Sequence, residues 1–436
     1  MRGAPCTWGM PGRRSHRAAQ DGPLVGRLRA AGAVILGVTN VAQLLFAYES
    51  DNPVYGRTNN PWDLERTPGG SSGGEAALIA AGGSPLGIGN DLGGSVRVPA
   101  HFCGIHALKP TAGRLTNLDH PAELWPRGHE IVVNQAGPLA RRVSDLALAM
   151  SVLSSDDPAA DPSIAPVPWP DGSSAPLRGM RVGFYEVDGF LPAGPAVRRA
   201  VREAAAALAA RGAIVEEWPP PDVPLAMDLY FGLLAAEGSA AVRRILAGSR
   251  PHPVIADLVR LVELPGAVRA IAVAALRRSG QARLAAVVAR VRPVSAAEYL
   301  KLVDARSRYR ARFADELKAH QIDVLVCPPH ASPAIRHGAG RNVLTAGSYS
   351  TLFNLLGFPA GVVAATRVRP NEETDRPITR DRVERAVRDS ELGTAGLPVG
   401  IQVVARPWRE DLVLAAMSHL ESHFGALPDF PARPPL

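Results

Sequence analysis

The sequence predicts an α/β fold in which helices cover both faces of a mixed or parallel sheet. Short apolar runs that suit buried strands alternate along the chain with segments of helical periodicity. The alternation begins with a helix around Leu24, which stops at Gly32 and leads into a predicted buried strand from Ala33 to Leu36. With 436 residues, of which 46% are hydrophobic, the chain is long enough to bury a large core. We predict one α/β body over residues 1–436.

The same alternation continues in the rest of the chain. A strand at 180–186 precedes an alanine-rich helix from Pro195 to Arg211, which Gly212 ends before a strand at 213–218. Apolar runs at 323–330 and 397–405 predict two more buried strands.

Three segments depart from this alternation. Residues 154–179 are rich in Pro, Asp and Ser, which predicts a long connection over the surface. The tail at 428–436 is predicted to be disordered. Residues 264–291 have helical periodicity with interspersed arginines and a break near Ser279 and Gly280. They predict a helix pair that packs on the body with its arginines toward water, or one that contacts a membrane or caps a substrate entry.

Charge and cysteine content narrow the classes of function. The net charge is +7, but the arginines are scattered without an aromatic-interleaved basic stripe, so we expect no nucleic-acid partner. Three distant cysteines with no CxxC pair favour neither a disulfide framework nor a zinc site. We also find no apolar run long enough for a membrane span and no secretion signal at the start. A cytoplasmic location is therefore expected, with membrane association left open.

Two clusters of glycine and serine lie in residues 67–97, TPGGSSGGEAALIAAGGSPLGIGNDLGGSVR. A phosphate-binding loop would need Gly-Lys-Ser or Gly-Lys-Thr, but Glu75 follows Gly74. A flexible linker does not fit either, because good helix formers follow directly. Glycines that flank serines in both clusters indicate special backbone geometry beside reactive hydroxyls.

Ser95 is the candidate nucleophile on chemical grounds. A serine hydroxyl needs a base to take its proton, and the oxyanion that develops needs preorganised N–H donors. The run from Asp91 to Ser95 offers a serine at the end of a turn whose successive amides can face one concavity.

The run from Pro68 to Arg114 resembles the amidase signature family of serine hydrolases, and the similarity continues at 137–148, 358–363 and 396–408. Within the family it is strongest to the fatty acid amide hydrolases, including the segments NPVYGRTNNPW and LRGMRVGFYEVDG. The resemblance implies a central mixed twisted sheet, no metal or cofactor, and hydrolysis of a carboxylic acid amide, with a fatty acyl amide as the favoured substrate. Peripheral membrane contact and a homodimer are further expectations.

The resemblance also implies the roles of the site residues. Ser95 would form the acyl-enzyme, and Ser71, preceded by a cis peptide bond to Gly70, would be the bridging serine. The remaining positions would form the oxyanion hole through the amides of Leu92, Gly93, Gly94 and Ser95, or support the loop through Ser72, Asp91 and Arg97. A Ser-His pair with His101 or His106 is an alternative, although the resembled family does not use histidine in this stretch.

The family's general base is a neutral lysine that comes shortly before a turn like Cys6–Gly9. That position would fall a few residues before Met1. The chain has only Lys109, Lys301 and Lys318, which all follow Ser95 and do not match it. Either the start codon is assigned too late or the base has been lost. We expect the first, because a chain that had abandoned catalysis need not keep the conformationally costly glycines.

Two other functions stay open at this point. One is the amidase subunit of a tRNA-dependent amidotransferase, and the other is a relative that binds acyl amides without cleaving them.

Overall fold

The computed structural model describes residues 1–118, 131–154, 161–170, 175–246 and 248–435. Its strands are β1 (Asp51–Asn52), β2 (Gly56–Arg57), β3 (Leu86–Asp91), β4 (His106–Lys109), β5 (Gln135–Ala140), β6 (Arg181–Phe184), β7 (Ile214–Glu217), β8 (Val324–Cys327), β9 (Ala360–Arg367) and β10 (Pro398–Ala405).

Its α-helices are α1 (Pro23–Ala30), α2 (Gly73–Ala80), α3 (Arg97–Cys103), α4 (Val143–Leu153), α5 (Pro195–Ala210), α6 (Val223–Leu234), α7 (Ala240–Leu246), α8 (Pro253–Val262), α9 (Gly266–Arg278), α10 (Ala282–Arg290), α11 (Ala296–Ala319), α12 (Ser348–Leu356), α13 (Arg382–Glu391) and α14 (Glu410–Gly425). Short 3₁₀ turns lie at Pro11–Arg13, Gln43–Leu45 and Leu344–Gly347.

The large sheet has eight strands in the order β3-β5-β4-β9-β10-β8-β6-β7. Neighbours are antiparallel from β3 to β8, whereas β8, β6 and β7 are parallel. The predicted mixed sheet is therefore confirmed, and β1 and β2 form a separate two-stranded antiparallel sheet.

Helices pack on both faces of this sheet, as predicted. Val362 of β9 lies in an apolar cluster with α2 and α3 on one face. The adjacent Gly361 faces α14 on the other face, where a Cβ at Gly361 would come within 2.2 Å of Met417 Sδ. Because successive strand residues point to opposite faces, α3 and α14 enclose the sheet between them.

Most of the elements predicted from periodicity are confirmed. They correspond to α1, β6, α5, β7, β8 and β10, and the predicted helix pair to α9 and α10 with a break at Ser279 and Gly280. Residues 161–170 and 175–179 of the proposed connection contain no helix or strand. The rest of that segment, apart from Ser154, lies outside the described residues.

The buried strand predicted at Ala33–Leu36 is wrong. The segment has no assigned strand, and Val34, Leu36 and Val38 are 84%, 68% and 61% exposed. Apolar composition favours a strand, but a strand also needs a neighbour with which to pair, and no described strand pairs with this segment. We call Val34–Val38 the apolar ribbon.

The tail is also ordered in its described part, contrary to the prediction. Asp429 pairs with Arg369 at 2.8 Å, and Phe430 packs against the main core. Pro431 is buried beside Gly104. These contacts dock residues 428–435 on the body.

One arginine of the helix pair is buried rather than turned to water. Arg269 of α9 donates to the carbonyl oxygens of Val288 and Val291 at the end of α10, at 2.6 and 2.8 Å. It also donates to the carbonyls of Leu261 and Val262 at the end of α8. The carbonyls of a helix's last turn lack intrahelical partners, and Arg269 satisfies them for two helices at once.

The outer side of α9 is exposed and partly apolar. Val268 and Ile271 are 48% and 72% exposed, and Arg277 and Arg278 at the helix end are exposed as well. None of the described helices combines the length and hydropathy that crossing a bilayer requires.

Candidate active site

The structure brings Ser71 and Ser95 into adjacent segments. Ser71 and Ser72 come directly before α2, and Ser95 lies between β3 and α3. The Ser72 N–H donates to the Ser95 carbonyl at 3.2 Å. Ser71 and Ser95 are 2% and 9% exposed, and the peptide bond between Gly70 and Ser71 is cis. The two serines predicted to react together therefore lie on neighbouring, hydrogen-bonded stretches of backbone.

Asp91, at the end of β3, holds the turn that carries Ser95. Its carboxylate accepts from the Gly94 N–H at 2.7 Å and from the Val96 N–H at 3.1 Å. Arg97 donates to it through Nε at 3.0 Å and through Nη2 at 2.9 Å. One carboxylate thus fixes the backbone on both sides of the serine.

The electrostatics of this pair keep Asp91 ionised. Burial alone would raise the pKa of the Asp91 carboxyl, but the charge and hydrogen bonds of Arg97 outweigh burial and hold the pKa well below its usual range. Arg97 also donates to Gln402 Oε1 and Asn354 Oδ1, both at 2.6 Å, so buried side-chain acceptors surround the guanidinium.

Three peptide planes in the turn are held by their carbonyl oxygens. The Asp91 carbonyl accepts from Asn354 Nδ2 at 2.9 Å, the Leu92 carbonyl from Tyr230 Oη at 3.2 Å, and the Gly94 carbonyl from the Val98 N–H at 2.7 Å. In a planar trans peptide the N–H points away from the C=O. The N–H groups of Leu92, Gly93 and Ser95 are therefore directed to the opposite side, and they donate to no acceptor in the described chain. They are available to stabilise an oxyanion.

The fourth amide expected in the oxyanion hole is occupied. The Gly94 N–H donates to Asp91, and the carbonyl of the same peptide, Gly93 O, accepts from Tyr48 Oη at 2.6 Å. Burial raises the pKa of Tyr48 to about 12, so this hydroxyl stays protonated and able to donate. The expectation that Gly94 supplies an oxyanion donor does not fit this arrangement, because its N–H already donates a hydrogen bond to the Asp91 carboxylate.

Ser72 contacts β3, the strand that leads into the turn of Ser95. Its hydroxyl accepts weakly from the Asn90 N–H at 3.4 Å, and a Cβ at Gly89 would come within 2.4 Å of that hydroxyl. The side chain thus packs directly on β3.

No lysine reaches the two serines within the described residues. Lys109 is buried on β4, where its Nζ donates to the Pro110 carbonyl at 2.9 Å. Burial lowers the pKa of Lys109 to about 7, and the charge of Arg97 acts in the same direction. Lys301 and Lys318 lie on α11 and are exposed, whereas both serines are buried.

The two histidines considered as bases are committed elsewhere. His101 accepts from the Gly400 N–H through Nδ1 at 2.9 Å, which leaves Nε2 to donate to the Ser332 carbonyl at 3.1 Å. His106 accepts from the Ala364 N–H and lies 3.3 Å from Glu421. Both ring nitrogens of each histidine already have a hydrogen-bond or ion-pair partner other than Ser95, so a Ser-His pair is not formed.

Sequence reasoning missed three polar residues of this site, Tyr48, Tyr230 and Asn354. Each binds a carbonyl oxygen of the Asp91–Ser95 turn from a distant part of the chain. Their residue types carry no local motif, so the only signal available was that a buried tyrosine or asparagine needs a hydrogen-bond partner.

A sequence model of the Amidase family matches residues 1–414. The chain belongs to the amidase family. It is 36% identical over 426 residues to fatty-acid amide hydrolase 1 of Sus scrofa, in a match that covers 96% of this chain and 73% of that protein. It also superposes on a solved structure of fatty acid amide hydrolase with a TM-score of 0.83 and 26% identity, which covers 98% of this chain and 71% of the other.

The amidotransferase alternative is not favoured by these relatives. The chain is 40% identical to one subunit of the glutamyl-tRNA(Gln) amidotransferase of Roseiflexus castenholzii, but over 236 residues that cover 53% of this chain and 46% of that protein. The match to fatty-acid amide hydrolase 1, in contrast, extends along 96% of this chain. The chain is therefore an amidase-type enzyme that hydrolyses amide bonds.

Proposed function

We propose that this chain cleaves acyl amides, with a fatty acyl chain as the preferred acyl group, through an acyl-enzyme on Ser95. The observation that supports the proposal is the hydrogen bond between the Ser72 N–H and the Ser95 carbonyl, which joins the segment of Ser71 to that of Ser95, the proposed nucleophile. The match to fatty-acid amide hydrolase 1 over nearly the whole chain supports the choice of acyl group.

In the proposed mechanism, Ser95 Oγ attacks the amide carbonyl carbon while its proton passes to Ser71 Oγ. The carbonyl electron pair moves onto oxygen, where the N–H groups of Leu92, Gly93 and Ser95 stabilise the charge. The C–N bond then breaks, and the amine leaves with the proton that Ser71 relays. Water then attacks the carbonyl carbon of the resulting ester, one of its protons passes to Ser95 Oγ as the C–Oγ bond breaks, and the carboxylic acid leaves.

The Ser71 proton relay needs a base behind it, and in the resembled family a neutral lysine serves there. None of the three lysines contacts Ser71 within the described residues. We therefore propose that acylation of this 436-residue chain is slow, because Ser71 can accept a proton only as fast as it passes one on.

We further propose that α8, α9 and α10 form a cap that faces a lipid surface and admits the acyl chain. The exposed Val268 and Ile271, with Arg277 and Arg278 at the end of α9, form the apolar and cationic combination that suits an interface with anionic lipid. In this proposal the cap and the remaining elements make up one domain, and the protein acts at a membrane surface.

Covalent labelling with a fluorophosphonate tests whether Ser95 is the nucleophile. The chain is incubated with a long-chain alkyl fluorophosphonate, and the modified residue is located by peptide mass spectrometry. We expect one adduct on Ser95, none in Ser95→Ala, and slower labelling in Ser71→Ala. Ser84→Ala is the matched control, because its hydroxyl only bonds the Leu86 carbonyl at 2.7 Å. An adduct that persists in Ser95→Ala would overturn the assignment.

Product analysis tests the substrate class. Oleamide, acetamide and glutamine are supplied separately, and the released acid is measured over long incubations. We expect oleamide to give the highest kcat/KM, because the acyl group carries the binding energy in the proposal. Turnover of glutamine alone would instead support the amidotransferase reading, and a chain that binds oleamide without acylation would support the non-catalytic relative.

A further inference from the structure

We infer that Tyr230 is a positioning residue of the oxyanion site, whose hydroxyl fixes the Leu92–Gly93 peptide so that the Gly93 N–H faces the substrate oxygen. The inference rests on the proposed function. It concerns a residue of α6, which lies outside the glycine- and serine-rich motif that carries the serines.

The contact itself is direct. Tyr230 is 7% exposed, and its hydroxyl donates to the Leu92 carbonyl at 3.2 Å. Burial raises the pKa of Tyr230 well above its usual value, so the hydroxyl remains a donor throughout the working pH range. A carbonyl held in this way fixes the orientation of its peptide plane, and the N–H of Gly93 belongs to that plane.

The identity of residue 93 follows from the same contact. A Cβ at Gly93 would lie 2.6 Å from Tyr230 Oη, closer than two such atoms approach, whereas its distance to the ring carbon Cζ would be an ordinary 3.6 Å. Gly93 has no positive φ, unlike Gly94 with a φ of +111°. Glycine is required at 93 to admit the hydroxyl rather than to permit an unusual backbone conformation.

The other two free amides are held differently. Asn354 binds both the carbonyl and the carboxylate of Asp91, each at 2.9 Å, so it is tied to the buried ion pair as well as to the Leu92 amide plane. The Gly94 carbonyl, which orients the Ser95 amide, accepts a backbone bond from Val98 in α3. Of the three peptide planes that carry these N–H groups, the Leu92–Gly93 plane is the one whose carbonyl is bound by a single side-chain hydroxyl, that of Tyr230. Removal of that hydroxyl should disturb one donor alone.

The kinetic test compares Tyr230→Phe with the unmodified chain. Loss of one oxyanion donor typically lowers the rate of hydrolases by about 10²–10³-fold, so a donor that is present but misoriented should lower acylation by about 10-fold. We expect kcat to fall with KM nearly unchanged, because the oxyanion forms only as the transition state is reached. A long-chain trifluoromethyl ketone, which forms a tetrahedral oxyanion adduct, should bind about 10-fold more weakly, whereas the corresponding alcohol should bind equally well.

Tyr309→Phe is the matched control. Tyr309 is also a buried tyrosine whose hydroxyl donates to a backbone carbonyl, that of Pro221 at 2.6 Å. Its hydroxyl bonds Pro221 and its ring lies beside Phe313, both outside the Asp91–Ser95 turn. This variant should lose comparable thermal stability but keep its acylation rate and its affinity for the ketone.

A second pair of variants tests the contact without kinetics. Gly93→Ala should lower the melting temperature because of the clash with the hydroxyl. In the Tyr230→Phe background the same substitution should cost much less, since the atom that clashes is gone.

The outcomes separate the two claims. Acylation by Tyr230→Phe within twofold of the unmodified chain, or a loss confined to KM, would overturn the inference and leave the proposed function intact. Additive melting-temperature losses in the Gly93 and Tyr230 pair would overturn the contact. No acylation of the unmodified chain would overturn the proposed function, and the inferred role of Tyr230 with it.

Discussion

Asp91 and Arg97 form an ion pair in which both side chains are fully shielded from solvent, with Arg97 Nη2 2.9 Å from Asp91 Oδ1. The pair lies six residues apart, on either side of Ser95. It therefore joins the end of β3 to the start of α3 across the turn on which acyl transfer is proposed.

Removal of one charge from this pair should be costly. Asp91→Asn leaves the Arg97 guanidinium buried without its counter-charge, and a broken buried pair typically costs about 3–5 kcal/mol of the free energy of unfolding. Urea denaturation measures this loss. The double variant Asp91→Asn/Arg97→Met should be less destabilised than the sum of the single variants, because it leaves no uncompensated charge. Additive losses would contradict the coupling.

Gly94→Ala should abolish acylation. Residue 94 has a φ of +111°, and an added Cβ would lie 2.8 Å from Ser350 Cβ and 2.9 Å from Val98 Cγ2. The turn must then shift, which displaces the neighbouring Ser95. Gly179→Ala is the control, because its φ is +82° but no atom lies near the added Cβ. It should cost about 1–2 kcal/mol of stability and leave fluorophosphonate labelling unchanged. Normal labelling of Gly94→Ala would contradict the proposed geometry.

Lys109 should make stability depend on pH above neutrality. Its pKa is about 7 in the folded chain against an ordinary 10.5. Between these values the unfolded chain holds a proton that the folded chain has released, so the free energy of unfolding should rise with pH in this window. Below about pH 7 both forms are protonated, and the full cost of the buried charge is present. Lys109→Met should flatten the rise, as measured by denaturation at several pH values, whereas the exposed Lys301→Met should not. A slope that survives in Lys109→Met would assign it to another group.

The apolar ribbon should promote self-association, including the expected homodimer. Val34 and Leu36 are exposed on a segment without a strand partner among the described residues, and unpaired apolar segments of this kind template pairing between chains. Val34→Lys/Leu36→Lys should shift sedimentation toward the monomer. Leu300→Lys replaces a similarly exposed leucine on α11 and should have no effect. An unmodified chain that sediments as a monomer at every concentration would contradict this prediction.

Liposome flotation should report the surface of α9. Ile271→Glu and the pair Arg277→Glu/Arg278→Glu should each weaken binding to vesicles that contain phosphatidylserine, because they remove apolar area or positive charge. Ile378→Glu alters another highly exposed isoleucine and serves as the control. Arg283 is unsuitable for this test because it pairs with Asp381 and Glu384. Binding that is unchanged in both α9 variants would contradict the proposed membrane contact.

The candidate nucleophile Ser95 could be predicted from its local glycine-rich turn, whereas the supporting roles of Asp91 and Arg97 were implied by the resemblance to the amidase signature family. Asp91, Ser95 and Arg97 lie within seven residues, so a turn and a helix start already place them together. The occupied amide of Gly94 could not be predicted in the same way. It depends on the rotamer of the Asp91 carboxylate, which Arg97 and Asn354 fix in the folded core.

The contributions of tertiary packing could not be predicted from periodicity. Tyr230 reaches Leu92 across 138 residues of sequence, and only the packing of α6 beside the turn brings the two together. The segment at Ala33–Leu36 is the opposite case, a strand that was predicted from composition but is not formed. Its apolar composition suits a strand, but composition does not say which strand would lie next to it.

The hydrogen bonds of Arg269 make α8, α9 and α10 dependent on one another. The guanidinium of Arg269 binds the final carbonyls of α10 through Nη1 and those of α8 through Nη2, so displacement of this one side chain would release both helix ends. The three helices should therefore open together in hydrogen exchange, as a single cooperative unit. If these helices cover the substrate entry as proposed, opening of that entry would require all three to move together.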